Sequence, residues 1–304
     1  MDWQELAFEL RQKISGQVLA RAPMERFTTW RVGGPADLLV IPWTKEDVQE
    51  ALLFTRKHDL PITVIGNGSN LLVLDRGIRG LVLKFAGGLN TSHLEGNILT
   101  ADGGALLPSL ARLALKSSLS GLEFGAGIPA SLGGAILMNA GAFGQDMGSI
   151  ALEVETIDQQ GKVQQWSRDE LFFSYRSSSL QGKNLIVLKA DLQLVPAARE
   201  EIAVRIKKNI AFRSKIQPLE QPTAGSVFRN PPDDYAGRLI ESAGLKGLRI
   251  GDAMVSTKHA NFIVNCGKAT GREIQELIKT IQDRVVQQFG IILVPEVLIV
   301  GEEG

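Results

Sequence analysis

Residues 121–144, GLEFGAGIPASLGGAILMNAGAFG, constrain the fold of this 304-residue chain more than any other stretch. Seven of these 24 residues are glycine, five are alanine, and only Glu123 is charged. The stretch has too few long apolar residues for a core strand and is too apolar for a flexible linker. Dense small residues let a backbone approach another group closely. The pattern therefore predicts either a glycine-rich packing crossover or a loop that offers N–H groups to an anion before a short helix at 128–134.

Length and composition predict a globular protein of about two domains, or three small ones. Apolar residues make up 44% of the chain, charged residues 22%, and the formal net charge is zero. A neutral chain has no general attraction to nucleic acid or an anionic membrane, so we expect neither as a partner. The single Cys266 excludes an internal disulfide and a cysteine-based zinc site, and it fits a reducing compartment. With no secretory signal and no run of about 18 apolar residues, we expect a cytoplasmic protein without a metal.

Periodicity and turn signals predict four segments. The first is an N-terminal helical arm at 1–20, outside the main core. Residues 21–85 form an α+β unit in which Thr44 begins a helix and 60–65 is a buried strand. Residues 86–200 alternate short strands with helices and turn at 158–161. Residues 201–304 contain a helix at 270–289, stopped by Gly290, and an apolar strand around Glu296.

A second glycine motif, IGNGSNLL at 65–72, follows the strand directly. Successive N–H groups in such a turn can form a concave anion site, although a tight hairpin turn is the alternative. It is neither a Walker loop nor a Rossmann fingerprint, because it lacks Gly-Lys-Ser/Thr, a third glycine and a following helix. Together with residues 121–144, the motif favours a cofactor that carries a diphosphate and lies between two small units.

Three side chains could carry chemistry. Arg176, in SYRSS, could hold a carboxylate in a bidentate fork, or it could be an ordinary surface arginine. Ser226, in AGSVFRNP, has no nucleophile elbow and no activating histidine nearby, so it either donates a proton in a preorganised site or caps a turn. Glu296 lies within IILVPEVLIV, where a buried charge must be paired or used. The sequence allows two roles for His259, which could line a pocket or have a structural role.

These motifs, with AGLKGLRIGDAMVSTKHANFIVN and a C-terminal PEV, occur in one order over about residues 25–300. In that order the chain closely resembles the UDP-N-acetylenolpyruvoylglucosamine reductase family. It is similar to the shorter variety, because about ten residues separate Tyr175-Arg176 from the next strand and leave no room for a substrate-capping loop. The resemblance implies an α+β fold, with a two-subdomain FAD-binding region of the vanillyl-alcohol-oxidase type and a C-terminal α/β substrate-binding domain.

The same resemblance implies an NADPH-dependent flavoenzyme of peptidoglycan synthesis, and hence of cell-wall biogenesis, cell shape and division. Hydride passes from NADPH to N5 of tightly but non-covalently bound FAD, and then to C3 of the enolpyruvyl ether of a UDP-sugar. The product is UDP-N-acetylmuramate. Arg176 and Glu296 would orient and polarise the enolpyruvyl group, with Glu296 protonated or acting through a water, and Ser226 would protonate C2.

The resemblance also implies binding residues. For FAD these are Gly66, Asn67, Gly68, Ser69, Asn70, Gly125, Ala126, Gly127, Ile128, Pro129, Ser131, Gly133, Gly134, Asn139 and Gly141. For the substrate they are Tyr175, Lys215, Arg229 and Asn230, although the missing capping loop leaves the role of Tyr175 open. We expect a monomer. The alternatives are an FAD-dependent oxidase of the same fold acting on another small molecule, and a nucleotide-binding module, against which a buried Glu296 argues.

Overall fold

The computed structural model describes residues 2–303. It divides into two compact units. The first contains the chain up to Ala20, Leu38–Asn67 and Gly80–Arg213, and the second contains Arg21–Asp37, Gly68–Arg79 and the chain from Ser214 onward. The α-helices are α1 (Trp3–Arg11), α2 (Lys45–Lys57), α3 (Leu107–Lys116), α4 (Leu132–Leu137), α5 (Arg199–Ile216), α6 (Ala236–Ser242) and α7 (Gly271–Phe289).

The strands are short, and most pair antiparallel. Up to residue 102 they are β1 (Gln17–Pro23), β2 (Pro35–Ile41), β3 (Ile62–Ile65), β4 (Leu71–Val73), β5 (Ile78–Lys84), β6 (Ser92–Glu95) and β7 (Ile98–Asp102). Next come β8 (Leu119–Ser120), β9 (Gly141–Ala142), β10 (Gln145–Asp146), β11 (Ala151–Ile157), β12 (Val163–Ser167), β13 (Phe173–Ser174), β14 (Ser177–Ser178), β15 (Ile186–Gln193) and β16 (Val195–Pro196). The last four are β17 (Arg249–Ile250), β18 (Ala253–Val255), β19 (Ile263–Asn265) and β20 (Leu298–Val300).

One core of the first unit forms where α1 and α2 cover the sheet β1-β2-β5-β3. Leu6 and Leu10 of α1 are buried in this core with Phe54 of α2. The expectation that the N-terminal helix lies outside the main core is therefore wrong, because its apolar face completes that core. Asp47, in the first turn of α2, fastens the segment between α1 and β1, since its carboxylate accepts from the N–H and hydroxyl of Ser15.

The other core of the first unit lies against the antiparallel sheet β12-β11-β15-β7-β6. In the register of β15 with β7, Ala190 lies opposite Ala101. Helices α3 and α4 contribute Leu110 and Ile136 to this core. The N–H of Gly133, in the glycine-rich stretch, donates to the carbonyl of Gly103 at 2.8 Å. The stretch is thus fastened to the end of β7.

The second unit packs α6 and α7 against the small sheet β17-β18-β19. Strand β20 pairs in parallel with β4, with Ile299 opposite Leu72. Trp30 is fully buried in this core, and its indole N–H donates to the carbonyl of Ile263 at 2.8 Å. Helix α7 begins at the N-cap Thr270 and ends at Gly290, whose φ of 68° is left-handed.

Several predicted elements are confirmed. Thr44 caps α2 in a capping box, α7 stops at Gly290, and residues 158–161 turn between β11 and β12. Three expectations are wrong. Strand β3 is at a sheet edge with Val64 40% exposed, so it is not buried. The short helix of the glycine-rich stretch begins at Leu132, after a 3₁₀ turn at Glu123–Gly127. Residues 291–294 form no strand.

The two units differ from the predicted segments. Residues 21–37 and 68–79 group with the C-terminal part of the chain, and the helical arm groups with the first unit. The domain boundaries at residues 20, 85 and 200 stay a prediction.

Candidate active site

The first half of the 65–72 motif contacts the glycine-rich stretch within the first unit. A Cβ at Gly66 would lie 2.1 Å from Oγ of Ser131, so a side chain there would require the Ser131 hydroxyl to move. Asn67 donates from Nδ2 to the carbonyl of Pro129 at 2.7 Å. The structure therefore brings together Gly66, Asn67, Pro129 and Ser131, which sequence analysis assigned to one cofactor.

Ser131 is the N-cap residue of α4, but its hydroxyl caps nothing. The residue is 1% exposed, and within residues 2–303 its Oγ makes no hydrogen bond. A buried hydroxyl without a partner costs about 1–3 kcal/mol, so native proteins seldom retain one without a reason. The unused hydroxyl lies beside Gly66, a residue without a side chain, so a polar ligand could approach both closely.

Glu123, the only charged residue in the glycine-rich stretch, fastens that stretch to helix α5. Its buried carboxylate accepts from the N–H of Gly121 at 2.7 Å, the hydroxyl of Ser120 at 2.8 Å and Nε of Arg205 at 2.9 Å. Burial alone raises the pKa of Glu123, but these hydrogen bonds outweigh it and hold the pKa below its ordinary value. Asn209 donates to the Glu123 carbonyl at 3.2 Å. The glycine-rich stretch, whose residues 125–134 we call the glycine wall, is thus held at a fixed position along α5.

The remaining predicted cofactor residues of this unit lie in the same glycine-rich stretch. Gly125, Ala126 and Gly127 lie in the 3₁₀ turn. Ile128 packs against the core of the sheet β12-β11-β15-β7-β6. A Cβ on Gly134 would lie 3.4 Å from Ser131 Oγ, and one on Gly141 would lie 2.5 Å from the carbonyl oxygen of Gln145. Asn139 is buried and tied to protein atoms, since Nδ2 donates to the Ser174 carbonyl at 2.9 Å and to Asp146 at 3.0 Å.

Tyr175 and Arg176 form the tip of a two-residue hairpin between β13 and β14. Arg176 has a φ of 55°, which a non-glycine residue adopts at a cost in strain. Its guanidinium carbon lies 5.2 Å from the centroid of the Tyr175 ring. Such strain concentrates at functional sites, and this turn aims an arginine by fixing its backbone.

In the second unit, Ser226 and Glu296 lie on adjacent extended segments. The N–H of Glu296 donates to the carbonyl of Val227 at 2.8 Å, and that of Arg229 donates to the carbonyl of Val294 at 2.9 Å. Asn70 donates from Nδ2 to the Glu296 carbonyl at 3.0 Å. The backbone hydrogen bonds therefore place Ser226 and Glu296 close together in the fold, although 70 positions separate them in the sequence.

The surroundings of Glu296 differ from the expected buried apolar strand. Glu296 is half-buried, and Ile292 and Val294 are exposed by 73% and 54%. The segment is extended and faces the core only on alternate residues, with Leu293 and Val297 buried. The prediction of a charge enclosed in an apolar strand was wrong, and it no longer argues against a binding module.

Asn261 shapes the Ser226 loop, and sequence analysis missed it. It is 4% exposed; its Oδ1 accepts from the Phe228 N–H at 3.0 Å, and its Nδ2 donates to the Phe228 carbonyl at 2.8 Å. The Asn261 carbonyl accepts from the N–H of Val227 at 2.8 Å. Asn261 hydrogen-bonds to the Phe228 backbone as a neighbouring strand would. The sequence pattern around an asparagine does not predict such a role.

Neighbouring polar residues have separate roles. Arg229 has a buried Nε with no partner in the described part of the chain, whereas Asn230 accepts from the N–H of Ala236 and caps α6. Lys215 is exposed in the last turn of α5.

His259 is structural, because Nδ1 accepts from the Asn261 N–H at 3.2 Å and the ring packs on Phe262. Burial lowers the pKa of His259, which keeps it neutral.

The other half of the 65–72 motif belongs to the second unit. Gly68 is left-handed with a φ of 65°, and a Cβ there would lie 2.3 Å from the carbonyl oxygen of Phe27. Its own carbonyl accepts from the Thr29 N–H at 3.1 Å. Ser69 follows in the turn, half-buried. Gly68 is thus required by a close backbone approach.

Two features are absent from residues 2–303. In that range there is no group of three or more histidine, cysteine, aspartate or glutamate side chains that could hold a metal ion. None of its helices is both long and apolar enough to cross a membrane.

The chain is similar to known proteins over nearly its full length, and two family models match parts of it. Residues 36–167 match the model of an FAD binding domain, and residues 217–300 match that of the UDP-N-acetylenolpyruvoylglucosamine reductase C-terminal domain. The reductase of that name from Desulforamulus reducens is 45% identical, with 100% of each chain covered. The one from Bacillus subtilis is 44% identical over 96% of this chain and 97% of its own.

Solved structures give the same result. The crystal structure of UDP-N-acetylenolpyruvylglucosamine reductase from Thermus caldophilus has a TM-score of 0.81 at 38% identity. The match covers 94% of this chain and 99% of that one. A Phl p 4 variant described as a glucose dehydrogenase matches with a TM-score of 0.50 at 15% identity, over 96% of this chain and 64% of its own, which is a likeness of fold alone. The predicted fold class, a two-subdomain FAD-binding region with a C-terminal substrate domain, is confirmed.

Proposed function

The chain belongs to the UDP-N-acetylenolpyruvoylglucosamine reductase family, and we propose that it reduces the enolpyruvyl ether of UDP-N-acetylglucosamine-enolpyruvate to UDP-N-acetylmuramate. It is an FAD-containing oxidoreductase of peptidoglycan synthesis that uses NADPH as co-substrate. We also propose that it acts as a cytoplasmic monomer.

The observation that carries the cofactor assignment is the buried Ser131 hydroxyl against Gly66. The first unit offers a close backbone approach and an unused hydroxyl at the same point, and both suit a diphosphate. Neither glycine-rich segment contains a histidine or cysteine, so we propose that FAD is held without a covalent bond.

FAD, when bound, supplies a hydride acceptor for NADPH and a hydride donor for the enolpyruvyl carbon. The residues that would hold it are the glycine wall at 125–134 with Gly66 and Asn67, together with Gly68, Ser69 and Asn70 of the second unit. Asn139 and Gly141 would act indirectly, because Asn139 donates to Asp146 and the Ser174 carbonyl, and Gly141 lies against β10.

Arg176, Ser226 and Glu296 would carry out the chemistry on the substrate. Arg176 would place fixed positive charge where the enolpyruvyl carboxylate gains electron density. Ser226 would donate a proton to C2, and its loop is held rigid by Asn261, as a weak acid requires. Glu296 would polarise the enolpyruvyl group, protonated or through a water.

The substrate diphosphate and sugar would bind to Lys215, Arg229 and Asn230, with Tyr175 contributing at the hairpin tip. Arg229 suits this role because its buried Nε has unused hydrogen-bonding capacity. Asn230 has its Oδ1 engaged in capping α6, so its Nδ2 would make the contact.

The test is a steady-state assay of the purified yellow protein. NADPH oxidation should depend on the enolpyruvyl sugar nucleotide, and UDP-N-acetylmuramate should accumulate in a one-to-one ratio with NADPH consumed. Oxidation that proceeds equally without that substrate would reject the proposal and favour an oxidase of the same fold.

A further inference from the structure

Two exposed phenylalanine rings, Phe143 and Phe212, pack edge to face in the first unit. Their centroids are 5.8 Å apart and their planes make an angle of 75°. Phe143 is 45% exposed at the tip of the β9–β10 hairpin, and Phe212 is 52% exposed in α5. Rings this exposed contribute little to a core. An aromatic pair on a surface is typical of a binding site.

The backbone of Phe143 gives a second reason to assign it a function. Phe143 and Gly144 are the two central residues of the hairpin turn, with φ values of 57° and 79°. A two-residue turn with both values positive strongly favours Asn-Gly. A bulky ring in the left-handed region is strained, and folding alone gives no reason to place one there.

A cation lies in the same helix as Phe212. Arg213 follows Phe212 in α5, and its Cδ is 2.9 Å from where a Cβ of Gly127 would lie. Its Nε is buried, and no acceptor among residues 2–303 reaches it. Burial lowers the pKa of Arg213. A desolvated guanidinium with an unused Nε donor favours a phosphate ligand.

The phenylalanine hairpin is also tied to the hairpin of Arg176. Asn139 precedes β9, and its Nδ2 donates both to Asp146 of β10 and to the carbonyl of Ser174, just before Tyr175. The aromatic pair is therefore coupled, within one unit, to the turn proposed to hold the enolpyruvyl carboxylate. This connection favours the substrate over FAD as the occupant.

We propose that Phe143 and Phe212 form the contact for the uracil ring of the UDP-sugar, with Arg213 supplying charge to its diphosphate. The assignment rests on the proposed function and answers what covers the substrate in a chain without a capping loop. An edge-to-face pair leaves one ring face open, and a nucleobase stacks on such a face.

The test uses Phe143→Asn, which restores the residue that the turn favours, so the variant is expected to fold. Inhibition of turnover by UDP and by inorganic pyrophosphate separates the base from the diphosphate. Phe143→Asn should raise the inhibition constant for UDP about tenfold and leave that for pyrophosphate unchanged. Phe212→Ala should do the same. Phe8→Ala, which removes a 65% exposed ring from α1, is the matched control and should change neither.

Three results would overturn the proposal. They are an unchanged inhibition constant for UDP in both variants, a loss of FAD with UDP inhibition intact, and a raised KM for NADPH with UDP inhibition intact. The last two would assign the pair to FAD or to NADPH. Failure of the proposed function itself is seen separately, as absence of turnover in the unmodified chain.

Discussion

Replacing Ser131 with alanine tests the assignment of FAD to the glycine wall, because stability and cofactor affinity should change in opposite directions. The Ser131 hydroxyl is buried and makes no hydrogen bond to another described residue. Ser131→Ala removes that hydroxyl and leaves Cβ in place, so the free energy of unfolding should rise by about 1 kcal/mol. If the hydroxyl donates to a phosphate of FAD, the variant loses a charge-assisted hydrogen bond of about 1.5–3 kcal/mol, and the Kd for FAD should rise about 10- to 100-fold.

The two quantities are measured on the same protein. Denaturant unfolding of the FAD-stripped protein gives the free energy of unfolding, and quenching of flavin fluorescence on titration gives the Kd. The matched control is Ser178→Ala in the same unit. Ser178 is 5% exposed and donates to the Leu137 carbonyl at 2.9 Å, so its loss should lower stability by about 1 kcal/mol and leave the Kd for FAD unchanged.

A Ser131→Ala variant that is less stable without FAD would mean that the hydroxyl has a structural partner. A variant that binds FAD as tightly as the unmodified chain would remove Ser131 from the cofactor site. Either result would refute the reasoning from the unpartnered hydroxyl.

Three further predictions concern other groups. Ser226→Ala and Glu296→Gln should leave reduction of FAD by NADPH nearly intact and slow substrate reduction at least a hundredfold in stopped-flow experiments; equal loss in both half-reactions would make the residue structural. Because burial lowers the pKa of His259 below 6.5, the unfolded state binds a proton first and stability should fall as pH falls below 6.5. His259→Gln should flatten that slope in denaturant unfolding, and an unchanged slope would contradict a buried neutral His259. Glu123→Gln should cost about 2 kcal/mol of stability near pH 7. That difference from the unmodified chain should disappear as pH falls well below 4.5, and a constant difference would argue against a charged Glu123.

Local signals in the sequence predicted most of the regular structure. Thr44 and Thr270 are each followed three positions later by the acidic residue of a capping box, and Gly290 ends α7 in a left-handed conformation. The sequence therefore predicted where α2 and α7 begin and where α7 ends. The strand β3 was misjudged, because its apolar sequence does not tell a central strand from an edge strand.

The candidate site was predictable where the backbone itself is the functional group. The close approach at Gly66 follows from glycine chemistry, and the structure shows it as a contact with Ser131. Groups positioned by tertiary packing were not predictable. Arg213 is an ordinary helix residue in the sequence, and its unused Nε becomes evident only when Gly127 lies beside it. Glu296 was predicted to be buried but is half-buried, because apolar neighbours in the sequence do not establish burial.

Anaerobic reduction and reoxidation of the bound flavin test the central claim most directly. NADPH should bleach the absorbance of the purified yellow protein without any other substrate. UDP-N-acetylglucosamine-enolpyruvate should then restore the absorbance rapidly in the absence of oxygen, with formation of UDP-N-acetylmuramate. A protein that stays bleached with this substrate and recolours rapidly with oxygen alone would contradict the assignment and identify an oxidase.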